Sequence, residues 1–440
     1  MREYMNRFYK TAFNMLLVFL LSLVIGIIAL FSTYQIPTES IKHHIQQSQS
    51  IYEKEGLYPH ALAINKKSFE LDNFTDIIML RNAVYPKDNN GMWNAMLIPK
   101  YSYEGNQIDI LIKTINDTPN PTIEMYARYW HGYLVFLKPL LYITNVQNIR
   151  VINSFMQIIL TIFTIILLWK RLGKGYAISY LCMYGALNPI ALSMSFQYST
   201  MYYIMSISSI MLLYGWSYWR EGYRYIYLFF LSGIATAYFD LLTYPMVSLG
   251  VPLIIFTCLQ YYDGIVCSIK KMGIQLIALI VIWGIGYSAM YIGKWITAEL
   301  ITGYDVIDNA QKQLGHRMSH VGSDNLSSTK QITLISTIFI NLRALLGNYF
   351  IIPVLITFIV SIGIGVWSYT STIKQHLYSE HRSSYLKYLL LLGLISLLPF
   401  MWYIAFQNHS YIHNFFTYRE LVIFIFGIGC LITTTLNRNY

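Results

Sequence analysis

The sequence predicts an all-α membrane protein of about ten transmembrane helices, with a large first external loop carrying amphipathic helices. Three observations carry that expectation. The 440 residues are 55% hydrophobic and only 12% charged, about half the charge of an ordinary soluble domain. Mean hydropathy is +0.44. Apolar runs approaching the roughly 20 residues needed to cross about 30 Å of hydrocarbon recur along the chain. Such a chain cannot cover a water-facing surface, so lipid must solvate much of it.

The expected spans lie near residues 13–34, 151–169, 176–194, 200–216, 225–238, 244–262, 273–293, 349–370, 389–406 and 421–436. Lys and Arg orient them. Arg2, Arg7 and Lys10 precede the first span, and Lys170, Arg171 and Lys174 follow the second. Arg220, Arg224, Lys270, Lys271, Lys374, Arg382, Lys387 and Arg438 continue the pattern on the same side. The short opposite turns, 196–199 and 239–243, carry none. By the positive-inside rule, both termini are cytoplasmic and the protein is a multi-pass protein of the cell membrane. The first apolar run is longer than a signal-peptide core, so it reads as a retained anchor. Cys182, Cys258, Cys267 and Cys430 all fall in spans or on the cytoplasmic side, which excludes an external disulfide framework.

This divides the chain into five parts: a cytoplasmic N-terminus and first span (1–34), an external loop domain (35–149), spans two to seven (150–293), a second external loop (294–348), and spans eight to ten (349–440). Within the first loop, 38–55 reads as an amphipathic helix and 89–99 as turn-rich. Residues 108–115 read as a short strand or helix, and 118–122 as extended because of the prolines. The aromatic stretch 125–142 contains Pro139 and reads as lying along the interface.

Several residues have chemistry to offer. Asp72 and Asp76 stand four apart, so on a helix they share a face. Two adjacent carboxylates suit a general base, and they allow a divalent cation without requiring one. Arg128, Trp130 and His131 offer a phosphate grip, a sugar-stacking face and a proton carrier. Asp240 is a lone acid at the end of a span. Lys294 closes the seventh span, where it can hold a lipid phosphate. His316 and His320 flank Arg317 at chelating spacing, without a third ligand in view. The last external turn gathers His409, His413, Tyr418 and Arg419 between two spans, with Arg419 as a further phosphate anchor. No nucleotide-binding glycine loop and no HExxH occurs.

With this layout the chain resembles the GT-C-fold glycosyltransferases, polytopic enzymes that use lipid-phosphate sugars. The resemblance rests on the cytoplasmic N-terminus, the large first external loop and its acidic motif. The closing stretch 408–419 (NHSYIHNFFTYR) is similar to Gram-positive members of cell-envelope families. Many GT-C members place an adjacent acidic pair just after the first span. Here the acids are four apart and lie further along, and no soluble C-terminal domain follows. The resemblance implies a polyprenyl-phosphate sugar as donor and a cell-envelope glycan or glycolipid as acceptor, with membrane lipid around both. Asp72 or Asp76 would be the base. Lys294, Arg419 and Arg128 would hold the donor phosphate, and Asp240, Trp130, His131, His409, His413 and Tyr418 would line the substrate. No cofactor is required. Two rivals stand beside this reading. A polysaccharide polymerase or ligase would work through Arg317, His316 and His320. A lipid-linked-sugar transporter or flippase would show inverted repeats, or broken helices with charges at the membrane midplane.

The formal charge of +10 gives no reason to invoke nucleic acid. On the expected topology the cytoplasmic segments hold 14 Lys and Arg against 4 acids, and the external segments hold 17 of each. The whole surplus is an orientation signal.

Overall fold

The structure is a computed structural model that describes residues 2–62, 64, 66–86, 90–264, 269–325, 329–347 and 380–436. It is 77% helical. Helices α1 (Arg2–Thr33), α2 (Glu39–Gln46), α3 (Gln49–Glu55), α4 (Asn73–Ala83), α5 (Gly91–Leu97), α6 (Gln107–Ile115) and α7 (Leu134–Ile143) come first. Then follow α8 (Val146–Arg171), α9 (Lys174–Ala186), α10 (Pro189–Met194), α11 (Phe196–Tyr214), α12 (Trp216–Arg220), α13 (Tyr225–Phe239), α14 (Val247–Tyr262) and α15 (Ile269–Thr302). The chain closes with α16 (Val306–Met318), α17 (Leu334–Leu346), α18 (Glu380–Ser396), α19 (Leu398–Ala405), α20 (Gln407–Ile412), α21 (Asn414–Thr417) and α22 (Val422–Leu436).

Among the described residues, five stretches are long and apolar enough to cross a membrane: Tyr9–Thr33, Val146–Arg171, Lys270–Thr302, Lys387–Ala405 and Asn414–Leu436. The expected spans at 225–238 and 244–262 are shorter apolar helices, α13 and α14. The one at 176–194 is broken. Asn188 takes a left-handed conformation before Pro189 and separates α9 from α10. The span expected at 349–370 lies outside the described residues.

Helix α8 carries the pattern expected of a lipid-facing helix. Phe155, Ile159, Ile162 and Ile166 form one stripe and are 41–64% exposed. The opposite stripe, Asn153, Gln157, Thr161 and Thr164, is polar and buried. Asn153 Nδ2 donates to Ser193 O and Ser199 Oγ, both at 2.7 Å, and Thr161 Oγ1 meets the Tyr202 hydroxyl at 2.5 Å. A soluble helix places its apolar stripe inward. This one is inverted, as lipid requires, because hydrocarbon accepts methyl groups but cannot satisfy an amide. Helix α1 repeats the theme, with Phe13, Leu17, Val24 and Ile28 exposed.

Small residues let the helices approach. A Cβ on Gly233 of α13 would stand 2.2 Å from Trp283 O of α15, and one on Gly286 of α15 would stand 2.4 Å from Phe230 O. Helices α9 and α22 meet in the same way, Gly175 against Thr433 and Gly429 against Ser179. Without a hydrophobic drive between helices in lipid, such close backbone packing is what holds them.

The loop domain differs from the sequence expectation in several places. The chain is not wholly α. Strands β1 (Pro99–Ser102) and β2 (Thr122–Met125) pair antiparallel, with Pro99 opposite Met125 and Ser102 opposite Thr122. The prolines at 119 and 121 keep the approach to β2 out of helix, and Ile98 turns into β1 with φ 50°. The stretch 38–55 is two helices, broken at Gln47 and Ser48. The supposed turn 89–99 holds α5; of the two readings of 108–115 the helix is the one observed, started by a capping box from Asn106 and Asp109. In the aromatic stretch only Leu134–Ile143 is helical. Helix α15 runs on to Thr302, so Lys294 lies inside it rather than at its exit.

Filling the α13–α15 contact tests this packing. Gly233→Leu should destabilise the detergent-solubilised protein by about 1–3 kcal/mol, lowering its thermal midpoint. Gly284→Leu is the control, since a Cβ added at Gly284 would meet no atom within 4 Å. Equal midpoints for the two variants would refute the close-approach account.

Candidate functional site

The loop domain, the loop after α15 and the turn before α21 all meet at one end of the helices, here called the loop end. Carboxylates and backbone donors join them. Asp72 is the N-cap of α4 and accepts from Thr75 N at 3.0 Å and Thr75 Oγ1 at 2.8 Å. It also accepts from Gln197 Nε2. Asp76, one turn on, accepts from Phe196 N at 3.0 and 3.2 Å. Thus both carboxylates converge on the N-terminus of α11, where free N–H groups and the helix dipole favour negative charge. Asp72 is 2% exposed and Asp76 fully buried. Burial pushes the Asp72 carboxyl up to about 6, with the Thr75 hydrogen bonds pulling it down. Burial likewise holds Asp76 well above the usual carboxylate range, although Arg150 pulls the other way. Arg150 itself is clamped by Glu55 at 2.9 Å and by Asn73 at 3.0 Å.

The other sequence candidates are distributed around this junction. Lys294 is buried, donates to Ala95 O at 3.0 Å and lies over the Trp130 ring at 5.2 Å. Trp130 donates through Nε1 to Met290 O at 2.8 Å. His131 is buried with φ 56°. Its Nε2 donates to Tyr126 O at 2.9 Å, which leaves Nδ1 to accept from the Tyr133 hydroxyl at 2.9 Å. That pattern needs a neutral ring, and burial holds its pKa well below the usual value. Arg419 donates to Leu187 O and Phe415 O, both at 3.1 Å, and stacks 4.0 Å above Tyr198. The Tyr418 hydroxyl reaches Ser68 O and Leu187 O at 3.3 and 3.4 Å. Lys294, Trp130 and Tyr418 thus tie the loop domain to the helices, whereas His131 bonds within the loop domain and Arg419 outside it.

A cavity of about 310 Å³ opens beside that junction, between α15 and α16. Tyr287, Tyr291 and Trp295 form its wall on α15, Leu314 and Met318 its wall on α16, and Leu242 and Phe406 close it. Two arginines, Arg128 and Arg317, also belong to this otherwise mostly apolar lining. Arg128 lies over the rings of Tyr126 and Tyr129 at 4.5 and 5.3 Å and has no carboxylate partner among the described residues. The Trp295 indole donates to Arg128 O at 2.9 Å and fixes that turn. An amphiphile with an anionic head matches this lining: aromatic walls for its apolar part, guanidinium donors for phosphate.

Arg317 is shared. It donates to Asp324 Oδ1 at 2.7 Å and meets His413 Nε2 at 3.1 Å. His413 stacks on Phe416 and stands 4.8 Å from the ring of His409. His409 Nε2 donates to Leu242 O, a cavity residue, at 2.5 Å. Burial and Arg317 push the His413 imidazole down to about 4, so its 3.6 Å approach to Asp324 is not an ion pair at neutral pH. His316 and His320 part company. One reaches Ser323 O at 2.9 Å and the other Gln407 Oε1 at 2.7 Å. No group of three metal-ligating side chains occurs among the described residues.

Asp240 is fully buried at the turn before α14. Its carboxylate accepts from Thr243 N at 3.0 Å and Thr243 Oγ1 at 2.5 Å, and burial pushes it up to about 7. Tyr291 donates to the backbone carbonyl of Asp240 at 3.5 Å, and Leu242 follows two residues later, so the backbone of this turn adjoins the cavity wall. The structure therefore gathers Arg128, Asp240, His409 and His413 at or beside the cavity, and keeps Asp72, Asp76, Trp130, His131, Lys294, Tyr418 and Arg419 in the joints around it. Sequence reasoning missed the tyrosines. Their signal was the four-residue spacing of Trp283, Tyr287, Tyr291 and Trp295, which stacks four rings along one face of α15 with centroids 5.1–6.0 Å apart.

Comparison with protein-family models, with curated proteins and with solved structures finds no match for this chain.

The His413 cluster predicts an acid-side loss of stability. Its folded-state pKa lies below the unfolded value of 6.5. The contribution is present above pH 6.5 and falls away as pH drops toward 4. Between pH 7.5 and 5 the wild type should lose about 2 kcal/mol through this group, seen as a lower thermal midpoint. His413→Gln should show a smaller drop over the same range; an identical drop would contradict the assignment.

Proposed function

We propose that the protein is an integral membrane glycosyltransferase of the GT-C type. It moves a sugar from a polyprenyl-phosphate donor to a glycan or glycolipid acceptor of the cell envelope on the external face. On this reading the chain crosses the membrane about ten times, with both termini cytoplasmic and the loop end outside. The observation that carries the proposal is the aromatic cavity with Arg128 and Arg317 in it. A lipid phosphate needs both features at once.

In the reaction, the two guanidinium groups hold the donor phosphate. An acceptor hydroxyl oxygen attacks the anomeric carbon. The carbon–oxygen bond to phosphate breaks, and its electron pair leaves with the polyprenyl phosphate. The acceptor proton passes to a carboxylate. Asp240 is better situated for that role than Asp72 or Asp76, because its turn adjoins the cavity and its raised pKa suits a base working near neutrality. Direct displacement inverts the anomeric centre. No step needs a metal.

A polysaccharide polymerase or ligase has one observation in its favour: Arg317 and His413, rather than Asp72 and Asp76, stand by the cavity. It would use the same lipid-linked donor.

Purified protein should transfer labelled sugar from a polyprenyl-phosphate hexose to envelope glycan. Arg128→Gln should lower kcat/KM roughly 10- to 100-fold, the worth of a charge-assisted phosphate contact. Asp240→Asn should abolish kcat with little change in KM. Full activity in Asp240→Asn, with loss in Arg317→Gln, would favour the polymerase or ligase. Movement of the lipid across vesicles without transfer would overturn both in favour of a transporter.

A further inference from the structure

A second cavity lies at the opposite end of the helices, where Lys170, Arg171 and Lys174 also stand. It holds about 840 Å³, and Trp216, Arg220, Tyr225, Gln260, Lys271 and Gln275 are in its lining. Its floor is polar and ordered. Gln260 donates to Gln275 Oε1 at 3.2 Å, and Gln275 donates in turn to the Tyr225 hydroxyl. Trp216, Tyr225 and Gln260 are only 3–5% exposed.

The rim is cationic beyond its own needs. Arg220 pairs with Asp263 at 2.5 Å, and Asp263 also accepts from Trp216 Nε1 at 2.6 Å. Arg224 pairs with Glu221 at 3.0 Å. Both arginines are thus matched. Lys270 and Lys271, in the first turn of α15, form no ion pair among the described residues. The surplus positive charge therefore sits at the cavity mouth, on Lys271.

An apolar track leads away from it. Ile274, Ile277, Val281 and Ile285 follow Lys271 along one stripe of α15 and are 50–63% exposed. A headgroup cavity with spare positive charge, continued by an exposed apolar stripe, has the shape and charge to receive an amphiphile with an anionic head.

We infer that this cavity binds the phosphodiester headgroup of an anionic membrane lipid, with an acyl chain lying along Ile274–Ile285. Lys271 supplies the charge, the Gln260–Gln275 amides of the floor supply hydrogen bonds, and Trp216 and Tyr225 add aromatic lining. Basic pockets between membrane helices recognise lipid headgroups by this chemistry. The site is independent of the reaction at the loop end.

The full-length protein is incubated in detergent with phosphatidylglycerol, phosphatidylcholine or glycerol 1-phosphate, and retained ligand is counted by native mass spectrometry. Phosphatidylglycerol should be retained about fivefold more than phosphatidylcholine, the worth of one surface lysine. Lys271→Gln should remove that preference and Lys271→Arg should restore it. Lys10→Gln, a change at another exposed lysine of the sequence's basic side, should leave it intact. Equal retention of the two lipids would overturn the inference, as would a loss in Lys10→Gln matching that in Lys271→Gln. Displacement of the lipid by glycerol 1-phosphate at equal concentration would overturn the acyl-chain contact and assign the cavity to a soluble phosphoester.

Discussion

Hydrocarbon cannot accept a hydrogen bond, and the arrangement of this chain follows from that constraint. Polar side chains that face a helix neighbour must find partners there. Helix α8 meets the demand by turning Asn153, Gln157 and Thr161 inward onto Ser193, Ser199 and Tyr202. The same demand is most acute at the N-terminus of α11, a buried end with free N–H groups. Asp76 reaches across from α4 to satisfy Phe196 N, while Asp72 holds Gln197. Loop domain and helices are joined there by carboxylates rather than by apolar contact alone.

Once that joint is fixed, the cavity follows. The turn containing Arg128 is tied to α15 through Trp295, and Gly132 N donates to Tyr238 O at the end of α13. A Cβ at Gly132 would stand 2.4–2.5 Å from Tyr238, so only glycine allows this approach. On the other side, Asn408 Nδ2 donates to Val321 O and Ser323 O, and Asn341 Nδ2 to Ser410 O. The first two bonds set the loop after α16, and the third sets α17, against the turn at 407–413. Arg128 and Arg317, 189 positions apart, arrive in one space because two separate segments dock on α15.

The membrane character of the fold was legible in composition and hydropathy. Asp72, Asp76, Asp240 and the 407–419 turn stood out in the sequence too, since charge between apolar segments is costly unless it has a task. What the tasks are was not legible. Asp76 serves a helix end 120 residues away, and nothing near Asp76 in sequence marks Phe196 as its partner. Lys294 reads as the exit of a span, yet α15 runs eight residues further and Lys294 turns to Ala95 O. The small sheet was half visible in the prolines before Thr122, but its register depends on Ile98 adopting a left-handed turn, which propensity does not favour. Local signals such as caps, prolines and apolar runs thus carry through. Long-range polar pairing does not.

The central claim is that the Arg128–Arg317 cavity receives a lipid phosphate. Photocrosslinking tests it most directly. A polyprenyl phosphate with a diazirine on its first isoprene units should label peptides from α15 around 288–295 and from α16 around 310–318, and unlabelled polyprenyl phosphate should compete the label away. Label confined to other helices, or label at these peptides that unlabelled lipid does not displace, would contradict the account.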